Sequence, residues 1–163
     1  MAKKAEVNSV ILAKYISEFD HKTEMGVYLI KQTPNSKTGN IPTLSFMRLD
    51  MKPSLARAQG LDTPSCGTCP LKNRQGCYVN LAFGPNKTWL TTTYEPFEIL
   101  RRVSVKTTVR VGGYGDIMSC PPALRAEIFE NIRGHFVGYS HDHDHELPAG
   151  ILKSIEDPAL IGD

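Results

Sequence analysis

This sequence lacks the features that most quickly assign a function. It has no marked excess of either charge: 19 basic side chains face 17 acidic ones, for a net charge of +2. That balance is too mild to point to nucleic acid by bulk attraction. No stretch approaches the roughly 20 apolar residues that span a bilayer, so no membrane association is expected. At the start, MAKKAEVNSVILAKYISEF is basic, but Lys14 breaks its apolar run and no small-residue cleavage site follows. It therefore predicts a cytoplasmic protein and no secretory leader. Walker loop, Rossmann fingerprint and zincin motif are all missing. There is no internal repeat, and no biased tract beyond HDHDHE.

What is present fits one folded unit. The 163 residues are 40% hydrophobic and 22% charged, a globular balance in a chain long enough to bury a core. The expectation is a single α/β domain over residues 1–163, with a Cys-rich loop at 53–87 and an acidic tail at 141–163. VNSVILAKYISEF has apolar residues at helical spacing (Val7, Ile11, Tyr15; Leu12, Ile16, Phe19) and predicts a helix, with a strand as the alternative at its start. GVYLIKQT and TLSFMRLDM predict two strands of a hairpin. KTWLTTTY predicts a further strand, and EPFEILRRV a short helix with Pro96 in its first turn. TTVRVGGYGD is β-branched and ends in glycines, which predicts a strand. PPALRAEIFENIRG predicts a helix that carries Leu124, Ile128 and Ile132 on one face and closes at Gly134. HFVGYSH predicts a last short strand. Strand and helix alternating in this way imply parallel βαβ units and a partly parallel sheet.

The chain has four cysteines, and three of them crowd into CGTCPLKNRQGCYVN. In a reducing compartment such clustering points to metal or redox chemistry before disulfides. Two residues between Cys66 and Cys69 let both sulfurs turn to one ion, and Gly67 permits the tight turn. Cys77 completes a three-thiolate face. Cys120 is the natural fourth ligand for a closed zinc site, with His135, His141, His143 and His145 as others. Zinc and an iron–sulfur cluster with one open iron position both satisfy this pattern.

The segments NSKTGNIP, CGTCPLKNRQGCYV, VRVGGYGD and GYSHD resemble an uncharacterised phage family, sometimes called gene product eighty-eight, over roughly residues 35–141. Membership would make this a phage or mobile-element protein acting in the cytoplasm of a bacterial host. The order of motifs is also similar to that of the radical SAM superfamily, in which a cysteine loop after the first strand holds a [4Fe–4S] cluster. There a Gly-rich end of the second strand contacts S-adenosylmethionine. The resemblance implies a partial barrel, a cluster on Cys66, Cys69 and Cys77, and a ligand site at Gly112, Gly113, Tyr114, Gly115 and Asp116. The spacing departs from that family: it is C-x2-C-x7-C here, against C-x3-C-x2-C there. Whether the protein is an enzyme stays open on this reading.

Three further groups are candidates. Arg101, Arg102, Lys106 and Arg110 form a basic decade with no acid in it, either a solvated surface or a contact for nucleic acid. Trp89, Tyr78 and Tyr94 stand near Lys72, Arg74 and Lys87, a mixture that can clamp single strands or pack around the cysteine loop. His141, His143 and His145 alternate with acids, as in a divalent-ion site or a solvated loop. The His-x-His pattern also resembles the HUH nucleases, but no tyrosine follows Tyr139 to serve as their nucleophile. A zinc-stabilised module that binds nucleic acid or a host protein is thus the alternative to a cluster-bearing enzyme.

Overall fold

Among the described residues six strands form one sheet in sequential order. The computed structural model describes residues 8–33, 41–67, 84–140 and 146–153. β1 (Ser9–Ile16), β2 (Glu24–Thr33) and β3 (Ile41–Arg48) make an antiparallel meander. From β3 the sheet turns parallel, through β4 (Thr108–Val111), β5 (His135–Ser140) and β6 (Ile151–Lys153). The connection from β3 to β4 carries the short helices α1 (Pro53–Ala58), α2 (Thr63–Cys66), α3 (Gly84–Trp89) and α4 (Glu98–Val103). A 3-10 turn at Ile117–Ser119 and the helix α5 (Pro122–Glu130) connect β4 to β5. This is a small α/β domain with a mixed, partly parallel sheet. Among the described residues no helix is long and apolar enough to cross a membrane.

The N-terminal helix expected from the sequence is instead strand β1. Its cause is a bulge. Between Ile11 and Ala13 the register on β2 advances by one residue while β1 advances by two. The extra residue breaks the alternation, so the core-facing Leu12 and Tyr15 fall three apart and imitate a helical stripe. KTWLTTTY is likewise not a strand. Its first part closes α3, where the Trp89 indole N–H donates to the Arg48 carbonyl at 2.9 Å. The rest runs beside β1 through a single bridge at Tyr94. The parallel unit therefore begins with β3, across a much longer crossover. The remaining strands and helices fall where their patterns put them, although α4 starts at Glu98, after Pro96 and its N-cap Phe97, and α5 ends at Glu130, short of Gly134. The segments read as a Cys-rich loop and an acidic tail contain α1, α2 and the start of α3, and β6, respectively.

Alternation along the strands separates two faces. Val27, Leu29, Leu44, Phe46, Val109 and Val111 face the main core, where α4 contributes Ile99 and Leu100, and α5 contributes Ile128. Each such side chain contributes about 1.5–3 kcal/mol through burial. Leu124 and Ile132 pack beside Ile128 as the helical stripe predicts. On the opposite face a smaller cluster joins Ile11, Tyr28, Met47 and Tyr114, with Leu49, Cys66 and Trp89 against it.

Candidate functional site

The carboxyl ends of the parallel strands bring together Cys66 and the turn Gly112–Asp116. After β4 the chain folds back along β3. The Gly112 and Gly113 amides both donate to the Leu44 carbonyl, at 3.0 and 2.8 Å. Phe46 N–H donates to Tyr114 O at 2.8 Å, and Tyr114 N–H donates to Ser45 Oγ at 3.2 Å. The glycines are required by this packing. A Cβ at Gly115 would lie 2.1 Å from the Phe46 carbonyl oxygen, and its φ is +84°. A Cβ at Gly113 would lie 2.5 Å from Thr43 Cγ2. The close approach these glycines permit is therefore to β3.

Asp116 is buried at the end of this turn. One carboxylate oxygen accepts from Met118 N–H at 2.9 Å, capping the 3-10 turn, and the Ser140 hydroxyl reaches the carboxylate at 2.8–2.9 Å. Ser140 closes β5, so this contact ties the ends of two neighbouring parallel strands together. The Asp116 amide in turn donates to Ser65 O at 2.8 Å. That bond fastens α2, and with it Cys66, to the turn after β4. Ser17 holds α2 from the other side, its hydroxyl donating to Pro64 O at 2.7 Å. α2 ends at Gly67, with φ +58°, where an added Cβ would press on the Phe19 ring at 3.0 Å.

Cys66 is half-buried and packs against the second cluster. The Tyr114 hydroxyl lies beside its sulfur and is buried, with no other hydrogen-bond partner among the described residues. Burial above all, then the neighbouring Cys66 and Asp62, pushes Tyr114 far above the ordinary phenol range, while Arg57 draws it back. Tyr114 is thus a neutral hydroxyl that can donate to the Cys66 sulfur. Asp62, fully buried at the start of α2, completes this polar group.

Cys120 sits elsewhere. It is fully buried in the main core, beside Tyr15 and Ser119, whose hydroxyls bond each other at 2.7 Å. Burial pushes its thiol up to about 12, against smaller opposing pulls from Tyr15, Ser119 and Arg125. Cys69, Cys77, Tyr78, Lys72, Arg74, His141, His143 and His145 lie outside the described residues. Among those described, no group of three or more His, Cys, Asp or Glu is placed to hold a metal ion. His135 is exposed at the start of β5, away from these carboxyl ends. Trp89 is packed, and Tyr94 is half exposed with the Lys14 ammonium 5.4 Å from its ring centre.

The basic decade divides. Arg101 and Arg102 lie in the last turn of α4, and Lys106 follows in the loop. Arg110 sits between Val109 and Val111 on β4 and so lies on the sheet face opposite α4. Ser140, Asp62, Asn131 and Arg133 escaped the sequence reading. Ser140 lies within GYSHD without a role of its own there, the other three lie in no motif, and each matters through a partner distant in sequence.

Comparison with protein-family models, with characterised proteins and with solved structures gives no match.

Proposed function

We propose that the protein is a metal-binding protein of phage or mobile-element type, with a centre held by Cys66, Cys69 and Cys77 at the carboxyl ends of β3 and β4. The observation that carries this reading is the bond from Asp116 N–H to Ser65 O. It brings the first cysteine of the C-x2-C-x7-C pattern to the GGYGD turn, at the end of a sheet where α/β proteins place their ligands. The surroundings of Cys66 suit a thiolate that holds an ion, and Cys69 and Cys77 lie outside the described residues. Cys66 is half-buried at a left-handed glycine, and the Tyr114 hydroxyl beside it suits a metal-bound sulfur as an outer hydrogen-bond donor. Zinc or an iron–sulfur cluster would serve there; the first orders the segment, and the second adds electron transfer.

A radical SAM-like enzyme is the second reading. One observation favours it: β3, the cysteine segment, α4 and a β4 ending in glycines follow one another in a sheet wound in one direction. Against it, the Gly112, Gly113 and Tyr114 amides are bonded to β3, and Asp116 is bonded to Ser140 and Met118.

Anaerobic purification with metal analysis and an absorption spectrum separates the two. A colourless protein with one zinc and no affinity for S-adenosylmethionine ends the enzyme reading, whereas a brown protein that binds it supports that reading. Cys66→Ser should lower metal content and melting temperature together, because ligation free energy is also folding free energy. Metal content unchanged in that variant would overturn the proposal.

A further inference from the structure

At the amino ends of β4 and β5 two loops are fastened together. Arg133 N–H donates to Ser104 Oγ at 2.9 Å, and His135 N–H donates to Thr107 O at 3.2 Å. Between them, a Cβ at Gly134 would lie 2.2 Å from Thr107 O and 2.6 Å from Ser104 O. Only glycine lets the loops meet this closely. The result sets Arg133 across from the last turn of α4, which carries Arg101 and Arg102. The three arginines, with Glu98, Val105 and Asn131, line an open concavity of about 800 Å³.

Three guanidinium groups face one carboxylate there, an excess of two positive charges by subtraction. None of the three arginines forms an ion pair among the described residues. Arg101 is held in place nonetheless. Its Nε–H donates to Asn131 Oδ1 at 2.7 Å, and Asn131 Nδ2–H donates to Glu127 O at 2.7 Å. Asn131 is itself buried. This fixes one guanidinium without neutralising it, so its remaining donors are available to an external anion. Lys106, exposed and in a left-handed conformation, continues the basic edge one residue beyond Val105.

We infer that this groove binds the phosphodiester backbone of a nucleic acid, without reading its sequence. Guanidinium forks match phosphate oxygens in pairs. A shallow, open site suits a strand passing across it better than a small phosphate enclosed within it. Among the described residues no aromatic side chain lines the groove to offer bases a stacking platform. Among the described residues its one apolar side chain is Val105, too little to insert into a lipid surface. The inference is independent of the metal centre proposed at Cys66, which is tied to the turn at the other ends of the strands.

The test is fluorescence anisotropy of a short, labelled, mixed-sequence DNA duplex with the full chain, between about 50 and about 200 mM salt. Three neutralised phosphates give a slope of log K against log salt of about −2.7. The triple variant R101Q/R102Q/R133Q should weaken binding at least about 10-fold and flatten that slope, with an unchanged circular dichroism spectrum. Arg110→Gln, on the other face of the sheet, should bind as the parent does. The inference fails if the triple variant binds normally, or if Arg110→Gln weakens binding as much. It also fails if pyrophosphate displaces the duplex where sulfate of equal ionic strength does not, which would mark a small-phosphate site. Equal arginine-dependent retention on phosphatidylserine vesicles would overturn it in favour of a membrane surface.

Discussion

At the carboxyl ends of β4 and β5, Asp116 and Ser140 close on each other beneath a glycine-rich turn. At the amino ends of the same two strands, Arg101, Arg102 and Arg133 stand exposed around an open groove. Both ends are drawn together by a glycine whose missing side chain lets backbone meet backbone, Gly115 against Phe46 and Gly134 against Thr107. They differ in where the polar groups turn. Those of the glycine turn are bonded within the fold, which makes it a structural joint to which Cys66 is attached. Those of the other end are positioned by the fold and left charged. Glycines and a carboxylate in a motif do not by themselves mark a ligand site, and arginines without a motif can mark one.

The comparison breaks most sharply at Gly115. Gly115→Ala should lose about 4 kcal/mol in denaturant unfolding, since its Cβ would collide with a carbonyl at a positive φ. Gly60→Ala, also at positive φ but with nothing within 4 Å, should lose only about 1 kcal/mol. Similar losses at the two sites would mean that β3 does not hold the turn as described.

Next in size is Asp116→Ala. It removes the acceptor shared by the Ser140 hydroxyl and the Met118 amide in a buried site, for a loss of about 3 kcal/mol. Asp116→Asn retains acceptor capacity and should lose roughly half as much. If both variants are as stable as the parent, the carboxylate is not a joint, and a ligand role for it gains ground.

A smaller effect follows from pH. The Cys120 thiol is pushed up to about 12 by burial, whereas an unfolded thiol ionises near about 8.5. Below that lower value both states hold the proton, and stability does not change on this account. Above it the unfolded chain releases a proton that the folded chain retains, so stability falls as pH rises, up to about 12. Tyr28, pushed by burial to about 12, adds the same sign at the upper end of the window. The expected slope is on the order of 1 kcal/mol per pH unit in equilibrium unfolding. Cys120→Ala should flatten the curve between about pH 8.5 and about pH 10; an unchanged slope would mean that the thiol is not buried as described.

The smallest effect sharpens the contrast. R101Q/R102Q/R133Q should lower unfolding free energy by only about 1 kcal/mol, chiefly through the lost Arg101–Asn131 hydrogen bond, because these side chains are otherwise exposed and unpaired with acids. A large loss would make the arginines part of the fold's framework, as Asp116 is.

Much of the fold was legible. β2, β3, β4 and β5 announce themselves by β-branched and apolar alternation, and α5 by its Leu124, Ile128 and Ile132 stripe. β1 was not legible, because a bulge carries no residue signature and turns period two into an imitation of a helix. α3 was hidden because Trp89 and the threonines after it favour strands locally, while the indole is drawn to the Arg48 carbonyl across the fold. Of the site, the GGYGD turn was visible, and its closeness to Cys66 was not, since the bond between them spans Ser65 to Asp116.

The sequence by itself determined the α/β class, the strand-forming segments and the crowding of cysteines, because composition and short-range periodicity act through neighbours along the chain. Only the tertiary structure decided which polar groups would meet. It set Asp116 against Ser140, Tyr114 beside Cys66 and Arg133 opposite Arg101. Each pair joins residues separated by a strand, a helix or a long crossover, and their contact depends on how the sheet is wound. The same winding placed Arg110 on the face away from its sequence neighbours Arg101 and Arg102, because a strand sends alternate side chains to opposite sides.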